Sequence, residues 1–431
     1  MSVKKPVNPQ FAGSALFLAM SLTAGVSVAA PLPDVVKQVL EAHPDIQSAS
    51  ALLDASAERI RQSRSEFLPS VGLAYEKSSV SEEASAVSTD RETGRLDATL
   101  KWNLFNGLAD RHGVEAAEAS NRASAADLEA TREELALRVA ESYLEVLKNQ
   151  QTLQISAAHI QQLQKLVETV TTRAELGRIS RVNIHQATTR LVQAQNRHFQ
   201  LRAALSGGKL GFRQLTGQDA TDLKLPELET DFSTQQIESL YQQAMANNPR
   251  LQAEKQRAKS RKADVGVAGA GLMPTVDLEL RKRLFSDVSP DSSVDMDTST
   301  RFMINYEIPL GGATFSRKRE AIKRQYAATA RIESVERDIK SSIGALYRQL
   351  LEERNIAPYL ERNVTAAQEV VKAYHLQFNA GKRTLLDLLT AYSDLYLAEV
   401  SVLENKYSQL LSQTRLQNQL GTLGKNLLAG K

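Results

Sequence analysis

The chain has 431 residues, of which 42% are apolar but only 5% aromatic, with 12 prolines, a composition that suits long helices better than compact globular cores. Its 53 Lys and Arg nearly balance 50 Asp and Glu, leaving a net charge of +3, too little basic excess for a phosphate-neutralising surface, so no nucleic-acid partner is expected. With no cysteine, disulfides, thiolate metal sites, cysteine nucleophiles and lipid attachment at an N-terminal cysteine are excluded.

The N-terminus carries Lys4 and Lys5, an apolar stretch from Phe11 to Val28, and the small residues Ser27-Val28-Ala29, the pattern of a secretory signal peptide over residues 1–29. Cleavage is expected after Ala29, because cutting after Ala30 would leave Pro31 next to the cut. No later segment suits a membrane-crossing helix. The most apolar, Val265 to Val276, has twelve residues and contains Pro274, short of the ~20 that a span needs. Membrane insertion must therefore use β-strands.

A first repeat is expected over residues 30–222. It opens with a helix around Ala42-His43-Pro44, followed by strands over about 71–80 and 94–105 joined by a polar loop, Lys77 to Thr93. Leu96, Ala98, Leu100, Trp102 and Leu104 alternate with Asp97, Thr99, Lys101 and Asn103, which gives one apolar and one polar face. Val71, Leu73 and Tyr75 form a weaker partner. A helix from about Leu108 to Leu176 follows, roughly 100 Å long at 1.5 Å per residue. Leu135, Val139, Val146, Leu153, Ile160, Leu163, Val167 and Val170 mark its heptad seam, interrupted by Ser142, Asn149 and Ser156. Gly177 sits where the chain must reverse into a returning helix.

After a linker over 223–234 containing Pro226, a second repeat is expected over 235–431. Pro249 and Pro274 lie 205 residues after Pro44 and Pro69. At a shift of 204, Trp102 meets Tyr306, Gly107 meets Gly311, Tyr143 meets Tyr347, Gly177 meets Gly381 and Ala187 meets Ala391. So many matches in order indicate an internal duplication. Its strands are expected over about 276–285 and 299–308, with Phe302, Ile304, Tyr306 and Ile308 on the apolar face. Its heptad seam runs from Ile339 to Phe378 with Glu353 as the one break. Four strands cannot close a barrel, and open sheet edges are not tolerated in lipid, so copies of the chain must pool their strands. Two copies would supply eight and three would supply twelve.

The order of these features resembles the TolC-like outer membrane efflux proteins along essentially the whole mature chain. The motifs are Ala42-His43-Pro44 and Asn247-Asn248-Pro249, the prolines before the strands, "WNLFNG" at Trp102–Gly107, the two glycine turns, and the segment from Phe378 through Arg383 and Asp387 to Ala391. The resemblance implies an α+β membrane protein: a homotrimer whose twelve strands close a β-barrel in outer membrane lipid and whose coiled-coil helices continue it as a periplasmic α-helical barrel. Leu100, Trp102, Phe302, Ile304 and Tyr306 would then face lipid.

It also implies a closable tip where Gly177 and Gly381 meet a periplasmic adaptor, a membrane fusion protein, and where Arg383 and Asp387 belong to a polar ring around the pore. Three things depart from the family pattern: Asn183 replaces a common aspartate, Phe378 a tyrosine, and Thr390 a second acidic position. The plain alternative for Arg383 and Asp387 is an exposed i,i+4 pair worth ~0.3–0.5 kcal/mol. An inner membrane ABC or proton-driven transporter would supply the energy. "WNLFNG" without a lipid-anchor cysteine resembles the type I protein-secretion branch, with a small-molecule or drug efflux channel and a periplasmic coiled-coil adaptor or structural protein as alternatives. The six histidines are dispersed, mostly on expected solvated helix faces. Gly208-Lys209 and the Gly266, Gly269, Gly271 group lack nucleotide-site spacing. No catalytic, cofactor or metal site is expected.

Overall fold

The structure is a computed structural model describing residues 31–84, 87–226, 232, 235–286 and 298–429. The expected signal peptide, residues 287–297 and most of the expected linker lie outside the described residues. The elements run α1 (Leu32–Ala42), α2 (Pro44–Ser65), β1 (Ser70–Ala84), β2 (Val87–Asn106), α3 (Ala109–Glu175), α4 (Val182–Thr216), α5 (Ile237–Asn247), α6 (Pro249–Ala270), β3 (Thr275–Ser286), β4 (Thr298–Asn305), α7 (Ala313–Asn379), α8 (Leu385–Leu420) and α9 (Leu423–Leu428).

Each expected opening helix is two helices. Pro44 and Pro249 stand at the first position of α2 and α6, where a missing N–H is harmless and the preceding residue turns extended. His43 Nδ1 accepts from the Asp45 N–H at 3.1 Å, and Asn248 Oδ1 from the Leu251 N–H at 3.1 Å, so both breaks are capped. Pro358, by contrast, lies inside α7 without ending it.

The four strands form one antiparallel sheet in the order β1-β2-β3-β4. The first hairpin extends past its expected ends: β1 reaches Ala84 and β2 begins at Val87, through residues expected to loop. The sequence from Lys77 to Thr93 carries no sustained apolar alternation, which hides a strand from pattern reading but does not prevent backbone pairing. The last strand is shorter than expected. It ends at Asn305, paired with Thr275, because Pro274 has no N–H to continue the ladder. Tyr306, expected in the strand, lies beyond it.

Among the described residues, the helical body has three apolar clusters. One gathers α1, the middle of α3, Phe212, Tyr407 and α9. A second joins α5 to Val335, Ile339, Ile343 and Leu350 of α7. The third occupies the end farthest from the sheet. The duplicated tyrosines have equivalent roles at mid-body. The Tyr143 hydroxyl donates to the Lys224 carbonyl at 2.7 Å and accepts the Lys224 N–H at 2.9 Å, while the Tyr347 hydroxyl donates to the Gln235 carbonyl at 2.9 Å. Each pins the segment between the repeats to a long helix. Glu133, 7% exposed, accepts the Leu423 and Gly424 N–H groups at 3.0 Å each and so anchors α9. Burial pushes its carboxyl up to about 7, against the opposing pull of those two hydrogen bonds.

Candidate functional site: the sheet faces and the helical tip

The sheet has two unlike faces. Cross-strand rows Val71–Leu100–Leu280 and Trp102–Leu278–Phe302, with Val276–Ile304 below them, make one face apolar. Val71 and Leu73 are 74% and 71% exposed there, far too much apolar surface to leave against water. Leu100 is half-buried between Val71 and Leu280, and Phe302 and Ile304 are exposed.

Rows Ala74–Asp97–Arg283 and Ser70–Lys101–Glu279–Arg301 make the opposite face charged. Asp97 and Glu279 are only 6% and 9% exposed even with one side of the sheet open. Arg95 Nε reaches Asp97 at 2.9 Å, Arg281 reaches Glu279 at 3.3 Å, and Asn103 donates to Asp277 at 2.7 Å. An apolar outer face and a wet, ion-paired inner face are what a lipid-embedded stave requires.

Three residues of "WNLFNG" serve the passage from sheet to helix. The Trp102 indole N–H donates to the Phe67 carbonyl at 3.0 Å, fixing the ring at the helix-side end of the apolar face. Asn106 Oδ1 accepts the Asp110 N–H at 3.3 Å and its amide donates to Asp110 Oδ1 at 2.6 Å, so it caps α3 from the strand. Gly107 has φ +67°, and a Cβ there would lie 2.5 Å from the Ala270 carbonyl oxygen, so only glycine lets α6 approach so closely.

The tip is two helix reversals packed on a shared core. Gly177 (φ +70°) and Gly381 (φ +71°) end α3 and α7 in left-handed conformations. The Arg178 N–H reaches the Arg173 carbonyl and the Lys382 N–H the Gln377 carbonyl, each at 2.9 Å, the same six-residue closure in both repeats. Phe378 is buried with Leu163, Leu166, Val170, Leu385, Leu388 and Leu389, a packing position that needs no hydroxyl. Asn183 is half-buried in the first turn of α4. Thr390 is exposed and bonds back to the Leu386 carbonyl at 3.0 Å.

Arg383 and Asp387 do come together, but loosely, at 3.9 Å. Each is also engaged elsewhere. Asp387 forms a reciprocal capping box with Thr384, whose hydroxyl donates to Asp387 Oδ2 at 2.7 Å and accepts the Asp387 N–H at 3.2 Å. The Arg383 guanidinium lies 4.0 Å from the Tyr374 ring centroid.

Sequence reasoning missed Arg173. It donates to the Phe378 carbonyl at 2.9 Å and to Asn379 Oδ1 at 2.7 Å, and so ties the end of α3 to the C-terminus of α7. Nothing in its surroundings in the sequence separates it from the other exposed arginines. The histidines are also less solvated than expected. His159 stacks on Tyr396 with centroids 4.8 Å apart, and burial holds its pKa down. His198 sits 3.3 Å from the buried Ser156 hydroxyl. Among the described residues, no group of three His, Asp or Glu side chains is placed to hold a metal, and no helix is long and apolar enough to cross a membrane.

The sequence model of the family described as "Outer membrane efflux protein" matches residues 35–218 and 240–422. The chain belongs to that family. It is similar to "Outer membrane protein TolC" of Vibrio cholerae, with 26% identity over 91% of this chain and 91% of that protein. It is also similar to "Proteases secretion protein PrtF" of Dickeya chrysanthemi, with 22% identity over 95% of this chain and 92% of that protein. Among solved structures, the outer-membrane channel OprN superposes with a TM-score of 0.81 and 20% identity, covering 90% of this chain and 89% of that one. The chain is an outer membrane efflux channel subunit with a periplasmic helical body, of a family whose channels are trimers serving tripartite systems with adaptors and inner membrane transporters. Family membership sets aside the periplasmic coiled-coil adaptor or structural protein.

Proposed function

We propose that three copies of this chain form the exit duct of a type I protein-secretion system, joined at the tip by an adaptor and powered by an inner membrane ABC transporter. The observation that carries the channel reading is the open four-stranded sheet with one apolar and one ion-paired face, which only pooling between copies can seal in lipid. The secretion reading draws on "WNLFNG", the absent lipid-anchor cysteine, and likeness across nearly full length to a protein named for protease secretion. Small-molecule efflux is the second reading, favoured by the family's own description.

In this reading Gly177 and Gly381 are the adaptor-contacting turns, and Arg383, Asp387, Asn183, Phe378 and Thr390 shape the aperture. Among the described residues, the polar contacts of Asp387 use its backbone N–H and Oδ2, leaving Oδ1 for a partner across the threefold axis. Opening is a separation of the two hairpins, resisted by Arg173.

Deleting the gene in its own host tests the assignment. Loss of a few large polypeptides from the medium, with unchanged sensitivity to toxic small molecules, supports secretion. Raised drug or metal sensitivity with an intact set of secreted proteins supports efflux instead.

A further inference from the structure

Near the sheet the helices lie side by side in the order α2-α3-α6-α7, since α2 packs on α3, α3 on α6 and α6 on α7. An open cleft of about 640 Å³ is lined by residues of all four, including Arg59 of α2 and Arg331 of α7. Two helices separated by two others can line one cleft only on the concave side of the arc. That side becomes the lumen when copies close the tube. A second cleft of about 510 Å³, sharing Arg261, Asp264 and Val267 with the first, continues toward the sheet along α6 and α7.

The concave surface is basic. Six arginines line the two clefts against three carboxylates, Glu254, Asp264 and Glu320. Those carboxylates are already engaged: Glu254 with Arg257 at 2.9 Å, Asp264 with Arg261 at 3.1 Å and Glu320 with Arg324 at 2.7 Å. Arg59, Arg317 and Arg331 have no carboxylate within 4.0 Å among the described residues. Above them, on the polar face of the sheet, Lys101, Arg281, Arg283 and Arg301 face Asp97, Asp277 and Glu279. A narrow water-filled space with unpaired charge of one sign on low-dielectric walls concentrates ions of the other sign.

We propose that the lumen just beneath the barrel is a cationic band that favours carboxylate-rich cargo, and acidic polypeptide segments in particular. The proposal rests on the duct reading and adds the class of substrate. The three unpaired arginines become nine in a trimer, all within roughly 30 Å of the sheet at 1.5 Å of helix rise per residue.

The test uses the full-length mature protein in planar bilayers, with polyglutamate or polylysine of equal length added on the barrel side, where each reaches the band without passing the tip. Polyglutamate is expected to interrupt the current and polylysine to have little effect. The combined variant Arg59→Gln, Arg317→Gln, Arg331→Gln is expected to lose most of the polyglutamate block and to shift the reversal potential in a salt gradient toward cation preference. All three residues are exposed, so folding is spared. Lys259→Gln with Lys262→Gln, on α6 but outside both clefts, should leave block unchanged. Polyglutamate block that survives the triple variant, or stronger block by polylysine, would overturn the cationic band while leaving the duct intact. Failure to conduct at all would overturn both.

Discussion

The two long helices α3 and α7 are equal in length at 67 residues and stand at equivalent places in the repeats, yet their surroundings differ. α3 leaves no large apolar side chain exposed along its length, whereas α7 exposes Phe315, Ile322, Tyr326, Ile356, Tyr359, Val370 and Leu376. The reason is position. Toward the tip, α3 and α8 pack on one another, with α4 outside α3 and α7 outside α8. α4 likewise exposes Val182, Val192, Phe199 and Leu210. The central pair is nearly completed within one chain, α8 exposing Leu386 and Leu397, and the flanking pair is not. A rod of this length needs neighbours on every apolar stripe, so the edges of one chain are built to meet the edges of another.

Substitutions on the two sides of this contrast should behave differently. Leu388→Ala, at a fully buried position of the central pair, should destabilise the chain by about 2–5 kcal/mol through the cavity it leaves. Phe199→Ser on α4 should change the chain's own stability little but weaken its association, which thermal unfolding and cross-linking in detergent would separate. Leu100→Lys carries the contrast into the sheet. A lysine on the apolar face should cost about 2–4 kcal/mol at the bilayer midplane and stop membrane assembly, read out by carbonate extraction.

The mid-body anchor sharpens the comparison at intermediate size. The unfolded chain gives up the Glu133 proton near the ordinary value of 4.5 and the folded chain near 7. Folded protein therefore holds the extra proton between those values, and stability falls as pH rises through that window, by at most about 3 kcal/mol. Glu133→Gln should flatten that pH dependence in denaturant melts. The smallest effect is at the tip. Asp387→Asn weakens the capping box by about 1 kcal/mol, and together with Arg383→Ser it should raise single-channel conductance. Unchanged conductance would take both residues out of the aperture.

Much of the architecture was legible because it rests on periodicity. The seam from Ile339 to Phe378 is buried or half-buried at Ile339, Ile343, Leu350, Val364, Val371 and Phe378, and the alternation around Leu100 correctly divides the sheet into two faces. The polar break at Glu353 resolves as a buried junction that receives Gln349, Ser408, Asn405 and Gln409. What stayed hidden depends on contacts between distant segments. Arg173 meets Phe378 across 205 residues, and Glu133 meets Gly424 across 291. No local pattern marks either. Asp387 was locatable, yet its first contact is with Thr384, a threonine–aspartate spacing that the sequence displays and that a pore-based reading passes over.

The claim on which all of this depends is that an unfinished sheet and unfinished helical edges are completed by identical copies. Mass determination of the detergent-extracted mature protein, corrected for bound detergent, tests it most directly. The account predicts three chains per particle and precipitation when detergent is withdrawn. A single chain that remains folded in plain buffer would contradict it.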